Sequence, residues 1–561
     1  MKNLTLLNYI FVVMRNLIST ILLFGSSLAI AQSTYVPLNT DYYHLLDKTE
    51  VVSGENATYH TSQKPYRRDF VSQQVLKNDT LINKSIGDYL INDNIEWGSN
   101  SRTKPRNTTF YNRQNATYSY HSDDFMIVAN PVLNLQYGKS SALDATLFQN
   151  TKGVEIRGWV DKKIGFYSIL TDNQVSFPQY LNNYTQSWGA LTGEGFYKPF
   201  KTSGYDYISA RGYITVSPVK HIQLQFGHDK NFIGNGIRSL SLSDNSNAYL
   251  FLKAQTTVWK FQYTNLFAQM STQSQGTNQL YPRKYFAMHH LSLNVLKNIN
   301  IGLFESIVFG RKDSLSAGSF DANYLNPIIF YRWAEQNNGS PDNANIGMDI
   351  KYNLFKTAQL YTSVFIDEFI FSNVKAGKGA WENKQALQFG AKYFNVFTVK
   401  GLDAQVEYNY IRPYTYTHAD NYSNYTHYGQ ALAHPMGANL KEFMGIIRYQ
   451  SNTKLLLKLQ GTYYIQGVDT SASTGKYNYG GDIFKSYNNV SAFHLTGNKI
   501  TQGVKNTTAH IQVSANYMLY HNLFIDAMYG YRKSTAGALV GNETYFTLGL
   551  RLNIATKQSL F

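Results

Sequence analysis

From about residue 126 onward, apolar and polar side chains alternate at every second position. The stretch Thr544 to Ile554 shows the rule: Phe546, Leu548, Leu550, Leu552 and Ile554 alternate with Thr547, Gly549, Arg551 and Asn553. A strand turns successive side chains to opposite faces, so this segment has one apolar face and one polar face. The same rule places Val154, Ile156, Gly158 and Val160 opposite Glu155, Arg157 and Trp159, and Leu402, Ala404, Val406 and Tyr408 opposite Asp403, Gln405, Glu407 and Asn409. One half-buried strand would look like this in any protein. Repetition in lengths of about ten residues is the signature of a transmembrane β-barrel.

The pattern predicts strands at 126–137, 154–160, 164–171, 207–217 and 222–226, then at 248–256, 258–270, 284–296, 299–310, 346–354 and 358–370. Further strands fall at 384–396, 401–412, 440–451, 453–466, 508–519, 522–533 and 542–554. Pro131 weakens the first and suits an edge or a bulge. Short links near 161, 218, 257, 297, 356, 398, 452 and 520 alternate with long ones at 174–206, 228–247, 271–283, 311–345, 371–383, 413–439 and 467–507. Bacterial barrels pair short periplasmic turns with long outer loops and even strand numbers. The expected fold is therefore all-β, a closed antiparallel barrel of about 18 strands over 121–561 with both termini periplasmic. The apolar run Ile328-Ile329-Phe330-Tyr331 falls in an outer loop, where water penalises it, and is expected to fold inward or pack across the mouth.

Residues 1–31 read as an export signal. Lys2 and Arg15 precede the apolar run Leu17 to Ala31, and Ala29-Ile30-Ala31 supplies a cleavage site before Gln32. Met14 is an alternative start. No later run is apolar enough for a helical span. Residues 32–120 lack the alternation and read either as a small periplasmic or lumen-plugging region or as a loosely ordered leader. Asp69 to Lys77 and Leu81 to Asn94 are helix candidates, with Ile82, Ile86 and Leu90 at helical spacing, and a basic stretch follows from Arg102 to Arg113. The expected location is the outer membrane of a Gram-negative bacterium.

Composition sharpens this picture. The chain has 561 residues, 45 of them Tyr, a side chain with an apolar ring and a water-seeking hydroxyl suited to membrane interfaces. Cys is absent, which excludes disulfides, thiol nucleophiles and zinc–thiolate sites. The net charge of +15 comes without a compact basic run or a nucleic-acid motif. It fits either attraction to anionic envelope glycans or charge scattered over loops. No cofactor or metal is expected.

Two loop segments carry candidate chemistry. Gly227 to Leu240, running on to Ser243-Asp244-Asn245, holds three glycines with Asp229, Lys230, Asn235 and Arg238. Its Gly234-Asn235-Gly236 lacks the Gly-Lys-Ser/Thr ending of a phosphate loop. Tyr324 to Glu335 mixes Asn326, Tyr331, Arg332, Trp333 and Glu335. Aromatic faces with charged hydrogen-bonders suit an anionic sugar, so these nine residues are the candidate glycan ligands. A plainer reading leaves both segments as loop cores with their charges paired to each other. His289 and His290 are neighbours on a strand and face opposite sides, so they cannot share a metal. Glu305 is expected to face the lumen and pair with a cation. No G-x-S-x-G or H-E-x-x-H occurs, and no catalytic residue is assigned.

Gly227 to Leu240, Tyr249-Leu250, Trp259 to Leu266 and Asn326 to Arg332 together resemble the capsule-assembly Wzi family, over roughly residues 120–561. The resemblance is nearest to the Bacteroidetes branch that includes the gliding-motility protein RemB. It implies an outer-membrane barrel of 18 strands with a helical region at the periplasmic end. It also implies a lectin-like, non-enzymatic role in retaining capsule or exopolysaccharide, a contribution to gliding, and contacts with surface polysaccharide, outer-membrane lipid, lipopolysaccharide and motility or surface-assembly proteins. A porin-like channel for small solutes is the alternative.

Overall fold

The last long strand closes onto the first: Leu539–Leu552 pairs with Phe125–Ser140, Leu552 lying opposite Leu133 and Tyr545 opposite Ser140. The computed structural model describes residues 32–97, 112–272, 281–312, 317–340, 342–420, 422–469, 478–489, 495–537 and 539–556. The proposed signal and residues 102–111 of the basic stretch lie outside these residues, and its last two, Asn112 and Arg113, lie within them.

Eighteen long antiparallel strands form the wall of the barrel, with the short strands Tyr118–His121 and Lys198–Phe200 added at its edges. The alternation has the predicted sense. Asp403, Gln405, Glu407 and Asn409 are buried toward the lumen, while Val406 and Tyr408 face out. Such a chain presents an apolar band to lipid and keeps polar groups inside. At the short-turn end the exposed aromatics Trp259, Phe355 and Phe397 mark a membrane interface.

Three details were not read correctly from the pattern. The second strand is Leu143–Val160, and it joins the first through a tight turn at Ser141-Ala142. Above Val154 its outward positions are Lys152 and Asn150, so both faces become polar and the alternation no longer marks the strand. A helix at Tyr42–Ser53 escaped notice because it buries Asp47, Thr49 and Glu50 as well as its apolar residues, leaving no polar stripe to detect. The predicted helices are observed at Arg68–Lys77 and Lys84–Asp93; the second begins only after Asn83, whose side chain accepts the Ser85 N–H. Pro131 sits between the stretch of its strand paired to Tyr118–His121 and the stretch paired to the closing strand. That gap needs no N–H, and proline has none.

Residues 32–97 lie against the lumen side of the short-turn end. Gln32 donates its N–H to the Lys162 carbonyl at 3.1 Å, Asn83 Nδ2 to that of Ser451 at 3.0 Å, and the Tyr89 hydroxyl to Asn522 at 2.7 Å. Inside, charged and polar groups of this segment meet partners on the wall. Lys392 Nζ is 2.7 Å from Asp47, Lys48 Nζ is 2.9 Å from Asp403, and His521 Nε2 is 2.9 Å from Asp93. Buried charges persist only when paired, and these pairs fix the segment in register with the barrel.

Candidate functional site

The glycine-rich connection after Ile222–Asp229 does not stand out into solvent; it turns into the barrel. Phe232–Ile233 forms a two-residue antiparallel ladder with Gln63–Lys64 of the N-terminal segment. Gly234 adopts φ +135°, a conformation that L side chains rarely take, and gives its N–H to the Ser62 carbonyl at 2.7 Å. Gly236 lies so close to the wall that a Cβ there would stand 2.4 Å from Glu407 Oε2. That closeness lets Glu407 accept the N–H groups of Ile237 at 2.6 Å and Arg238 at 3.0 Å. Arg238 then grips Glu442 with two bonds, Nη2 to Oε1 at 2.9 Å and Nε to Oε2 at 3.2 Å. Burial opposes the charge on Arg238, and Glu442 outweighs it, raising the guanidinium above its ordinary range.

The other residues predicted in this segment are also engaged. Lys230 Nζ donates to the carbonyls of Gly193 at 2.6 Å and Asp244 at 3.1 Å. Asp229 lies 3.7 Å from Arg211, and Asn235 Nδ2 donates to Asp349 at 3.3 Å. Lys230 and Arg238 share a cleft with Arg211, Asp244 and Glu194.

The second predicted segment is elsewhere. Neither the inward fold nor the packing across the mouth expected for Ile328 to Tyr331 occurs: the segment lies on the outside of the wall. Asn265, His289 and Glu305 stand side by side on three neighbouring strands, on the outward face. The expectation that Glu305 faces the lumen is therefore wrong; its neighbours Ser306 and Phe304 turn inward, and it turns out. Its Oε1 accepts the N–H of Arg332 at 3.3 Å, at the start of the helix Tyr331–Asn338. Tyr331 is fully buried, its ring 4.2 Å from that of His289. Asn326 accepts the N–H of Ile328, Arg332 pairs with Glu335 at 2.7 Å, and Trp333 points outward. The barrel wall thus separates Asn326, Tyr331, Arg332, Trp333 and Glu335 from Asp229, Lys230, Asn235 and Arg238, and the nine residues do not form one site.

A groove that the sequence reading missed lies among the long connections. The helix Gln179–Trp188 starts over the wall residue Glu543, whose carboxylate accepts the N–H groups of Gln179 at 2.7 Å and Tyr180 at 3.1 Å. It ends at Gly189 in the left-handed conformation. Trp188 packs on Phe484 with ring centroids 4.6 Å apart, and Tyr184 stands beside it. With Gln466, Asp469, Asp482 and Lys485 these rings line a groove. Lys485 Nζ pairs with Asp469 at 2.7 Å, and burial pushes the Asp482 carboxyl above the ordinary carboxylate range. Aromatic rings beside carboxylate and amide groups offer stacking for a sugar ring and hydrogen-bond partners for its hydroxyls. The signal was present: Tyr180, Tyr184 and Trp188 recur at a spacing of four, the period of one helix face.

Fold and sites together define an outer-membrane β-barrel with an occupied lumen and an aromatic groove at its long-loop end. The chain belongs to the capsule assembly protein Wzi family, whose model matches residues 93–546. Among solved structures it is similar to Wzi of Escherichia coli, described as a carbohydrate-binding β-barrel involved in group 1 capsule assembly. That likeness has a TM-score of 0.57 and 12% identity, and covers 94% of this chain and 100% of that one. Weaker likenesses include OprD of Pseudomonas aeruginosa, with a TM-score of 0.41, 11% identity and coverage of 76% and 94%. OccAB2 of Acinetobacter baumannii has a TM-score of 0.41, 8% identity and coverage of 76% and 97%. No curated protein matches the chain.

Proposed function

We propose that this protein binds a surface polysaccharide at its long-loop end and helps to hold it on the cell, without catalysis. The observation that carries this reading is the groove of Tyr184, Trp188 and Phe484 with Asp469, Asp482 and Lys485. It lies among the long connections, which in bacterial barrels face the exterior. Family membership and the carbohydrate binding described for Escherichia coli Wzi support the same reading. Lys230 and Arg238 serve it from beneath, by fixing the inward loop under the connection that carries Pro435, a residue lining both cleft and groove. The ordered pairs between residues 32–97 and the wall favour this reading over a porin-like channel, because they occupy the lumen that solutes would need.

The test is deletion of the gene followed by staining of surface glycan and a spreading assay on agar. Loss of retained glycan supports the reading; a change in spreading extends it to gliding, the expectation tied to the Bacteroidetes branch. Unchanged glycan together with solute conductance of the purified barrel in planar bilayers overturns it.

A further inference from the structure

The connection between the strands Ile299–Phe309 and Asn343–Leu354 starts and ends at the long-loop rim, yet part of it descends along the outside of the wall. Its inner side covers polar groups. Asn265 and His289 are 5% and 6% exposed on a face that otherwise meets lipid, and Tyr331 lies over them. The Tyr263 hydroxyl donates to the Pro327 carbonyl at 2.7 Å, and Glu305 receives the helix N-terminus. Lifting the segment would bare Asn265, His289 and Glu305 to hydrocarbon, where unpaired polar groups are costly.

Its outer side is the reverse. Ile328 is 82% exposed, Phe330 75% and Trp333 59%. The patch continues onto the outward wall residues Leu303 and Ile346, which flank Glu305. Polarity then changes along the helix. Apolar Ile328 and Phe330 lie between Pro327, whose carbonyl meets Tyr263, and Arg332, whose N–H meets Glu305; Trp333 follows, and Gln336, Asn337 and Asn338 are exposed at the far end of the helix. Eight residues at about 1.5 Å each rise about 12 Å, enough to pass from acyl chains to headgroups. Trp and Arg in the middle suit that boundary.

We propose that this segment is a lipid-binding surface: an amphipathic strap whose polar side docks on the wall, whose Ile328 and Phe330 lie among the acyl chains of the outer leaflet, and whose Trp333 lies where those chains meet the headgroups. The partner is membrane lipid, and the argument is continuity with the wall surface that already meets it.

The test uses the full chain in vesicles of phosphatidylcholine and phosphatidylglycerol. The chain has no cysteine, so Ile328→Cys and Phe330→Cys each carry a single fluorescent label, with Ser187→Cys on the groove helix as the aqueous reference. Labels at 328 and 330 are expected to be blue-shifted, quenched by lipid bearing a nitroxide on its acyl chain, and to lose the iodide quenching seen at 187. Iodide quenching equal to that at 187 overturns the proposal, as does protection from both quenchers, which would mean protein covers the patch. A measurement on the unlabelled chain guards against misfolding of the cysteine variants. Brominated-acyl lipid is expected to quench less of the tryptophan emission after Trp333→Phe; an unchanged fraction overturns the proposal.

Discussion

The Arg238 side chain binds both carboxylate oxygens of Glu442, while the backbone N–H of the same arginine binds Glu407 on the neighbouring strand of the wall. One loop residue is thereby held by two strands of the wall. Glu442 also receives His434 Nε2 at 2.8 Å, from the connection that reaches the groove. The Arg238–Glu442 pair is thus one link between the inward loop and the outward mouth, beside the hydrogen bonds of Ser243 to Leu432 and Ala433.

Removing one member of a buried ion pair leaves the other charge uncompensated, at a cost of about 3–5 kcal/mol. Arg238→Ala is therefore expected to lower the denaturant midpoint of the barrel and to expose the 230–248 loop to protease. Adding Glu442→Gln should restore part of the loss, since it removes the stranded charge. Equal stability of Arg238→Ala and the parent chain in urea would show that the pair contributes nothing.

The N-terminal segment should dock in a pH-dependent way. His60 is 4% exposed, with Nδ1 2.7 Å from Ser292 Oγ, and burial, with Lys351 and His290 nearby, pushes it down to about 3. Released from the barrel it would titrate near 6.5. Between those values the free segment takes up a proton that the docked one refuses. Docking therefore weakens as pH falls below about 6.5, by about 1.4 kcal/mol per unit for this group. Burial lowers His44 as well, which adds to the slope. For Asp93 burial acts upward but the His521 hydrogen bond and Arg68 outweigh it, so its contribution is lost only at pH below the ordinary carboxylate range. Hydrogen exchange of residues 42–93 measured against pH should show this slope. In His60→Gln the slope should shrink by about one proton, and an unchanged slope would remove His60 from the account.

The groove gives a direct prediction. Trp188→Ala removes the ring that packs on Phe484 and opens one side of the site. Polysaccharide binding should weaken about tenfold, roughly 1.4 kcal/mol, with barrel stability unchanged. Calorimetry of the purified barrel with the cell's own polysaccharide measures this, and undiminished binding would locate the sugar elsewhere.

The wall was legible in the sequence because lipid outside and polar contacts inside impose a two-residue period on nearly every strand. Leu402 to Asn409 shows it in the sequence and keeps it in the structure. The period fails wherever that contrast fails: at Asn150 and Lys152 above the apolar band, and along Tyr42–Ser53, which is buried on polar and apolar sides alike. Loop destinations were not legible for a different reason. Arg238 and Arg332 look equivalent in sequence, each an arginine in a long connection beside aromatic or glycine residues. The first meets an inward Glu442 and the second lies over an outward Glu305, and pairings across 204 and 27 residues leave no local trace. The sense of Glu305 itself was misread because a glutamate on a lipid-facing strand makes sense only with the helix that covers it.

That helix supplies the last prediction. Three glutamates of the wall receive N–H groups from connections: Glu543 those of Gln179 and Tyr180, Glu407 those of Ile237 and Arg238, and Glu305 that of Arg332. A carboxylate at a helix start satisfies donors that the helix cannot and favours the positive end of its dipole, for up to about 2 kcal/mol in partly buried settings. Glu305→Gln keeps the shape but loses the charge, so the helix Tyr331–Asn338 should loosen while the strands around it stay closed. Amide exchange across residues 331–338 is expected to speed up by roughly five- to thirtyfold, the rate equivalent of about 1–2 kcal/mol, with exchange in Ile299–Phe309 unchanged. Exchange that stays as slow as in the parent chain would mean that Tyr331, Ala334 and Tyr324 hold the helix by packing alone, and that the outward carboxylate is not its anchor.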